Sequence, residues 1–241
     1  MTRRLIVIPA HNEQETIREV VTRALQYGDV SVTDDGSTDK TPKFLSEIKQ
    51  ECLSGHHQNH LHVITHPKAT HIPAGIQDGM KYAVQNHYSF VMTMDAGLSH
   101  DPDTLERFIR FDEHTDIVIG SRSKTENVPL YRKLVSYVGS RMINYVVTDS
   151  YISLFGPGIK DCTSGFRRYS QRAVDKIAAA DLKSLSFDFH MEALAICLRK
   201  GMSVAEIPIT YIFSNSSFNG KILFQAARFA FHLLRTKKCH I

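Results

Sequence analysis

The sequence predicts an α/β fold: a mostly parallel β-sheet sandwiched by helices, closed by a C-terminal amphipathic helix. Three observations predict it. Short apolar runs alternate with segments of helical spacing through the first half of the 241 residues. Those runs are continuous rather than alternating, as expected of parallel strands covered on both faces. Acidic, amide and arginine side chains gather where the runs end, and an open parallel sheet binds ligands at the carboxyl ends of its strands.

LIVIPA (5–10) reads as the first strand. EQETIREVVTRALQ then places Ile17, Val20, Val21 and Ala24 at helical spacing, with Asn12 as cap and Glu15 as its capping-box partner. VSVT (30–33) is a second strand ending in Asp34 and Asp35. Thr41-Pro42 reads as a cap plus first-turn proline for the helix FLSEIKQEC. LHVIT (61–65) and SFVMTM (89–94) are strands, AGIQDGMKYAVQ is the helix between them, and DPDTLERFIRF is a helix capped by Asp101. DIVIG (116–120) is a fifth strand. This βαβα alternation is the mark of a parallel sheet with helices on both faces.

The second half is less regular. LVSYVGSRMINYVVTDSYISL is helix-like, DCTSGFRRYS is a turn-rich insertion, and FDFHMEALAICLRKG is a helix ending at Gly201. VAEIPITYIF is a strand and GKILFQAARFAFHLLRTKK a closing helix. With no linker, repeat or low-complexity tract, residues 1–241 are expected to form one domain, with 221–241 as a basic amphipathic appendage.

A hydrophobic fraction of 42% and a charged fraction of 22% are those of a soluble globular protein. The net charge of +4 suits phosphate-bearing ligands and is too weak to argue for nucleic acid. Cys52, Cys162, Cys197 and Cys239 form no CxxC pair, which favours free thiols in a reducing compartment. The first apolar run is too short for a signal peptide, and no stretch approaches the ~20 apolar residues that cross a bilayer. The expectation is a cytoplasmic protein able to sit peripherally on the inner face of a membrane. Lys221, Arg228, Arg235, Lys237 and Lys238 have no acidic residue among them, and Leu223, Ala227, Ala230 and Leu234 recur at helical spacing. Such a helix either lies on an anionic bilayer or packs its apolar stripe on the core. The histidines of GHHQNHLHVITH (55–66) read as an exposed loop entering a strand rather than a zinc site, since no cysteine lies at ligand spacing.

The chemistry-bearing residues sit at strand ends. Pro9, Asn12 and Glu13 follow the first strand, Asp34 and Asp35 the second, Asp95 the fourth and Arg122 the fifth. Facing carboxylates and a guanidinium suit a nucleotide diphosphate: carboxylates accept from base N–H and ribose hydroxyls, and arginine forks onto phosphate. The plain alternatives are a polar turn with helix caps for DDGSTDKT, a cap or turn residue for Asp95, and a solvated basic turn for Arg167 and Arg168.

VIPAHNEQETI, VTDDGSTDKT, TMDAGLSHDP, GSR and DCTSGFRRY, in this order, resemble the family 2 glycosyltransferases of GT-A (Rossmann-like) fold. Within them the chain is most similar to the polyprenol-phosphate sugar transferases, the dolichyl-phosphate mannosyltransferase group, over roughly residues 4–225. The DDGSTD block is general to the superfamily; DCTSGFRR and AEIPITY point to the prenyl-phosphate branch. The resemblance implies a nucleotide-sugar donor, GDP- or UDP-linked, lined by Pro9, Asn12 and Glu13 and held by Asp34 and Asp35. It implies Mg²⁺ or Mn²⁺ on Asp95. Arg122, Arg132 and Ser136 would meet the acceptor phosphate or donor sugar, and Asp161, Ser164 and Gly165 would shape the acceptor side. Glu192 would sit behind the site, or be a buried carboxylate paired to an arginine. Two motifs depart from the family. Its usual DxD(x)Q becomes Asp95, Gly97 and Ser99, and its basic segment after the last strand becomes SNSSFNGK, where Lys221 keeps a cation. Asp95 with Ser99, diphosphate oxygens and water can complete an octahedron, with His100 or Asp101 as further candidates.

The expected reaction is inverting transfer of a hexose to polyprenyl phosphate at the cytosolic face of a membrane, with a separate membrane anchor protein as a possible partner. A prenyl phosphate is already anionic and attacks without a base, but it requires cations, for which Arg122, Arg132, Arg167, Arg168 and Lys221 are candidates. One rival is transfer to a saccharide hydroxyl of a glycan, which needs a general base, Asp161 or Glu192. Another is a catalytically weak nucleotide-sugar-binding protein.

Overall fold

The structure is a computed structural model, and it describes residues 3–126, 137–141, 144–145, 158–186 and 188–212. The elements run β1 (Arg4–Ala10), α1 (Ile17–Ala24), β2 (Asp29–Asp35), α2 (Thr41–Leu53), β3 (Leu61–His66), α3 (Ile72–Gln85) and β4 (Phe90–Thr93). A 3-10 turn (Pro102–Thr104), α4 (Leu105–Ile109), β5 (Ile117–Glu126), β6 (Arg167–Ser170), α5 (Gln171–Ala178), α6 (Phe189–Leu198) and β7 (Val204–Ile212) follow. The seven strands form one sheet in the order β3-β2-β1-β4-β6-β5-β7. β6 is antiparallel to both neighbours, and every other pairing is parallel.

The apolar runs are continuous because both faces of the sheet are covered. Leu5 and Val7 pack with Ile76, Met80, Val174 and Leu194 on one side, and Ile6 and Ile8 pack with Ile17, Val20, Leu45 and Phe108 on the other. Helix α3 approaches β1 closely through glycine: a Cβ on Gly79 would lie 2.5 Å from Cγ1 of Val7. One turn earlier, the carbonyl of Gly75 accepts the Thr33 hydroxyl at 2.9 Å.

Several expectations change. β5 runs to Glu126, beyond the expected 116–120. α1 begins at Ile17 with Thr16 before it, so Asn12 and Glu15 form no capping box there. The Thr41 hydroxyl does not cap α2; it accepts the Glu13 N–H at 2.9 Å. Asp101 does cap, accepting the Asp103 N–H at the 3-10 turn. The largest correction is RRYS. Instead of a solvated turn it is an inner strand, and Arg167 and Arg168 are 0% and 2% exposed. Arg168 donates to the carbonyls of Phe108 (3.0 Å), Phe111 (2.9 Å), Asp112 (2.5 Å) and Thr115 (3.2 Å), closing the end of α4. Arg167 donates to Cys162 (2.6 Å), Ser164 (2.8 Å) and His190 (2.6 Å). Each guanidinium thereby places its donors on backbone carbonyls.

Candidate active site

Strands β1 and β4 lie side by side, with β2 beyond β1 and β6 beyond β4. The turns leaving β1 and β4 therefore open at the carboxyl edge where strand order reverses, the favoured ligand crevice of such sheets. On the β1–β3 side the turns are tied by side chains bonding to backbone. Asn12 takes φ 55°, and its Oδ1 accepts the Thr38 N–H at 2.8 Å while its own N–H donates to Ser37 Oγ at 2.9 Å. Asp34 is buried and accepts the Ser37 N–H at 3.1 Å. Asp35 accepts the Thr70 N–H (2.8 Å), the Thr70 hydroxyl (2.7 Å) and the His71 N–H (2.9 Å). Its Oδ1 also lies 2.8 Å from Nδ1 of His66, whose Nε2 lies 3.0 Å from Asp78. Burial would raise the Asp35 carboxyl, but the His66 and Thr70 hydrogen bonds outweigh it and hold it below the usual range. Burial would lower His66, and the same two carboxylates raise it instead. The loop presses on Gly36, at φ 71°, where a Cβ would lie 2.9 Å from the Ala69 nitrogen. Both aspartates expected to hold base and ribose thus spend oxygens on their own chain. Pro9 packs towards Gly75 of α3.

On the β4–β7 side, Asp95 stands two residues past β4 with its side chain 38% exposed. Glu13 shares this cleft. Burial raises its carboxyl, the Thr16 hydrogen bond opposes, and the Asp95 charge adds to the rise. Among the described residues a Cβ on Gly97 would meet nothing within 4 Å. Ser99 is buried, and its carbonyl accepts the Ile212 N–H at 3.2 Å, pinning the turn to β7. His100 is 2% exposed between the rings of Phe166 and Tyr211. Its Nδ1 lies 3.5 Å from Asp95 Oδ2 and has no hydrogen-bond partner among the described residues.

Asp161 grips Arg122 in a two-point pair, Nε to Oδ2 and Nη2 to Oδ1, both at 2.7 Å. It also accepts the Arg122 N–H at 3.1 Å. Burial would raise Asp161, but Arg122 overrides it and holds the carboxyl at about 2. Glu206 of β7 positions the loop by accepting the N–H groups of Lys160 and Asp161, each at 2.9 Å. Gly165 accepts the Thr93 hydroxyl at 2.7 Å. A Cβ there would lie 2.8 Å from His190 Nε2 and 3.5 Å from Asp95 Oδ1, so glycine leaves the room that the buried His190 ring occupies. Ser164 is buried and gives its carbonyl to Arg167.

The structure brings Glu13, Asp95, Arg122, Asp161, Ser164 and Gly165 to one end of the sheet. Arg132, Ser136, Lys221 and the C-terminal helix lie outside the described residues. Three expectations are corrected. Arg167 and Arg168 are taken up by carbonyls and offer no charge to an acceptor phosphate. Among the described residues Glu192 pairs with no arginine; it accepts the N–H groups of Lys183 and Ser184, each at 2.9 Å. Asp161, ion-paired and held at about 2, is no general base at neutral pH. The sequence reading passed over His66, Glu206 and His190. His190 stood inside FDFHMEA, the motif singled out for Glu192.

Among the described residues no three His, Cys, Asp or Glu side chains gather as a metal site. Two donors do meet, Asp95 and the unpartnered Nδ1 of His100. That pair fits a divalent ion whose other ligands come from a diphosphate and water.

Among the described residues no helix is long and apolar enough to cross a membrane. The model of the family described as Glycosyl transferase family 2 matches residues 5–178. The chain is 29% identical over 217 residues to the polyprenol monophosphomannose synthase of Mycolicibacterium smegmatis, covering 87% of this chain and 77% of that protein. It is 27% identical over 226 residues to a UDP-N-acetylglucosamine–dolichyl-phosphate N-acetylglucosaminyltransferase of Methanococcus voltae, covering 88% and 86%. In fold it is similar to the glucosyl-3-phosphoglycerate synthase of Mycobacterium tuberculosis, crystallised with Mn²⁺, UDP and phosphoglyceric acid. There the TM-score is 0.69 at 15% identity, over 100% of this chain and 79% of that one. The sheet and its helices are thus the GT-A arrangement.

Proposed function

This chain is a hexosyltransferase of glycosyl transferase family 2, and we propose that it moves a hexose from GDP- or UDP-sugar to a polyprenyl phosphate at the cytosolic face of a membrane, with inversion. The names of its relatives support the acceptor class. The observation that carries the reading is the Asp161–Arg122 pair. Neither carboxylate put forward as a base is available: Asp161 is neutralised by a guanidinium, and Glu192 is consumed by backbone N–H groups. A hydroxyl acceptor must lose a proton as it attacks; a phosphate monoester need not.

The acceptor oxygen attacks the anomeric carbon as the bond to the donor's diphosphate breaks, so negative charge builds on the leaving group. Asp95 would hold the divalent ion, Mg²⁺ or Mn²⁺, which when bound offsets that charge. The chain's own part is positioning. The 66–71 loop would bound the nucleotide side, and Asn12 and Glu13 would line the floor beside Asp95. Arg122, oriented by Asp161 and stacked 5.4 Å from the Tyr211 ring, would set the electrostatics of the sugar side. A nucleotide that contacts Asp35 must displace donors of the Thr70–His71 turn, so donor binding and movement of this loop are expected together.

Purified protein is incubated with labelled GDP-mannose, UDP-glucose or UDP-N-acetylglucosamine, Mn²⁺ or Mg²⁺, and undecaprenyl or dolichyl phosphate. Metal-dependent labelled lipid supports the reading. Transfer to a free saccharide but to no lipid phosphate overturns it. Under that second reading Glu13, whose carboxyl is raised beside Asp95, would be the base, and Glu13→Gln would abolish the transfer.

A further inference from the structure

We propose that His100 stands in for the missing second carboxylate, so that Asp95 and His100 form a mixed oxygen–nitrogen site selecting a divalent transition ion over Mg²⁺. The inference rests on the reading of Asp95 as the metal residue and deepens it.

Two observations carry it. Nδ1 of His100 is buried and has no hydrogen-bond partner among the described residues, which is costly for a polar atom and calls for a ligand. It lies 3.5 Å from Oδ2 of Asp95. Two atoms each about 2.1 Å from one ion stand roughly 3.0–3.5 Å apart at angles between octahedral and tetrahedral. The pair is therefore spaced for an ion with little movement. The ring is held in place by Phe166 and Tyr211, at 5.0 and 5.4 Å between centroids, and the backbone beside it by the Ser99–Ile212 hydrogen bond. A ligand that need not be ordered on binding loses less entropy. The approach lies on the Asp95 side, where the carboxylate is 38% exposed and the space over Gly97 is clear of the described residues. Diphosphate oxygens and water would complete the shell from there.

The donor set decides the ion. Mg²⁺ takes oxygen ligands in a near-ideal octahedron, whereas imidazole favours first-row transition ions. Losing a carboxylate and gaining a neutral nitrogen costs the site more affinity for Mg²⁺ than for Mn²⁺ or Co²⁺.

The test uses Mn²⁺ as probe, on the full chain, without any acceptor. Pulsed electron paramagnetic resonance of Mn²⁺ bound to the protein with UDP or GDP should show nitrogen coupling from one imidazole. His100→Gln and Asp95→Asn should each abolish that coupling. Calorimetry should show Mn²⁺ bound at least about tenfold more tightly than Mg²⁺, and His100→Gln should erase most of that difference. Because the ring is buried, the melting temperature of His100→Gln is measured alongside; the wild-type spectrum itself requires no variant. Bound Mn²⁺ without nitrogen coupling, or coupling that survives His100→Gln, overturns the inference. Nitrogen coupling with no transfer to any lipid phosphate leaves the site standing and defeats the acceptor reading instead.

Discussion

The two halves of the site are held by different physics. On the β1–β3 side, short polar side chains bond to backbone N–H groups of nearby turns: Asn12 to Thr38, Asp34 to Ser37, Asp39 to Gln14, Asp35 to Thr70 and His71. On the β4–β7 side, besides the Glu206 and Thr93 bonds to backbone, the ties include guanidinium groups: Arg122 on Asp161, Arg167 on three carbonyls and Arg168 on four. The first half is many modest bonds, each replaceable by water when a turn opens. The second is a few largely buried guanidinium groups, each held by several oxygens at once. A donor that enters by moving a loop belongs to the first half; a reaction centre that must not move belongs to the second.

The sharpest way to break this contrast is to remove one tie from each half. Asp161→Ala leaves the Arg122 guanidinium in a largely closed site without its counter-charge, and about 3–5 kcal/mol of stability should be lost. Asn12→Ala removes exposed hydrogen bonds to Thr38 and His11 and should cost about 1 kcal/mol. Equal losses in urea denaturation would mean that the two halves do not differ in kind.

Acidity sharpens the contrast with a smaller effect. The Asp161 carboxyl titrates at about 2 when folded, against an ordinary 3.8. Its folded value is depressed, so its contribution is complete above about pH 4 and is lost as pH falls through 2. The size is about 2 kcal/mol. His66 has the opposite sign. Its folded value is raised above the ordinary 6.5, so its contribution is complete below that value and is lost as pH rises through the raised one. The β1–β3 side is then the half that also loosens in alkali. Stability measured from pH 2 to 9 should lose its alkaline fall in His66→Gln, and part of its acid fall in Asp161→Asn. An alkaline fall that persists in His66→Gln would remove the histidine from this role.

The same contrast explains what could be read from the sequence. The five leading strands and the strand-end cluster Asn12, Glu13, Asp34, Asp35 and Asp95 were legible because their signals are local: an apolar run, then a polar turn. The β6 strand was not. Two adjacent arginines look like a solvated turn until Phe108, Phe111, Cys162 and His190 bring their carbonyls from other elements. Glu192 misled for the same reason, since its partners are backbone N–H groups that no side-chain pattern reveals. His100 was visible as a candidate, but its unpartnered nitrogen facing Asp95 exists only once β7 closes over the turn.

The smallest expected change in stability falls where the family pattern is broken. Among the described residues a Cβ on Gly97 would meet nothing within 4 Å, and its φ lies outside the left-handed region. Gly97→Asp should therefore fold as the parent does, within about 0.5 kcal/mol. Its effect on metal should be larger. A second carboxylate on the open side of Asp95 adds an oxygen donor, and Mg²⁺ should bind about tenfold more tightly, or 1.4 kcal/mol. Mn²⁺ should gain less, because Asp95 and His100 already serve it, so the preference for a transition ion should shrink. Calorimetry with each ion and UDP reads both changes. Unchanged Mg²⁺ affinity in a fully folded variant would mean that the ion does not sit beside Gly97, and Asp95 would then belong to the rigid half as a structural carboxylate. A gain for Mg²⁺ alone would show that the loss of DxD here exchanged one metal preference for another while the scaffold beneath it stayed unchanged.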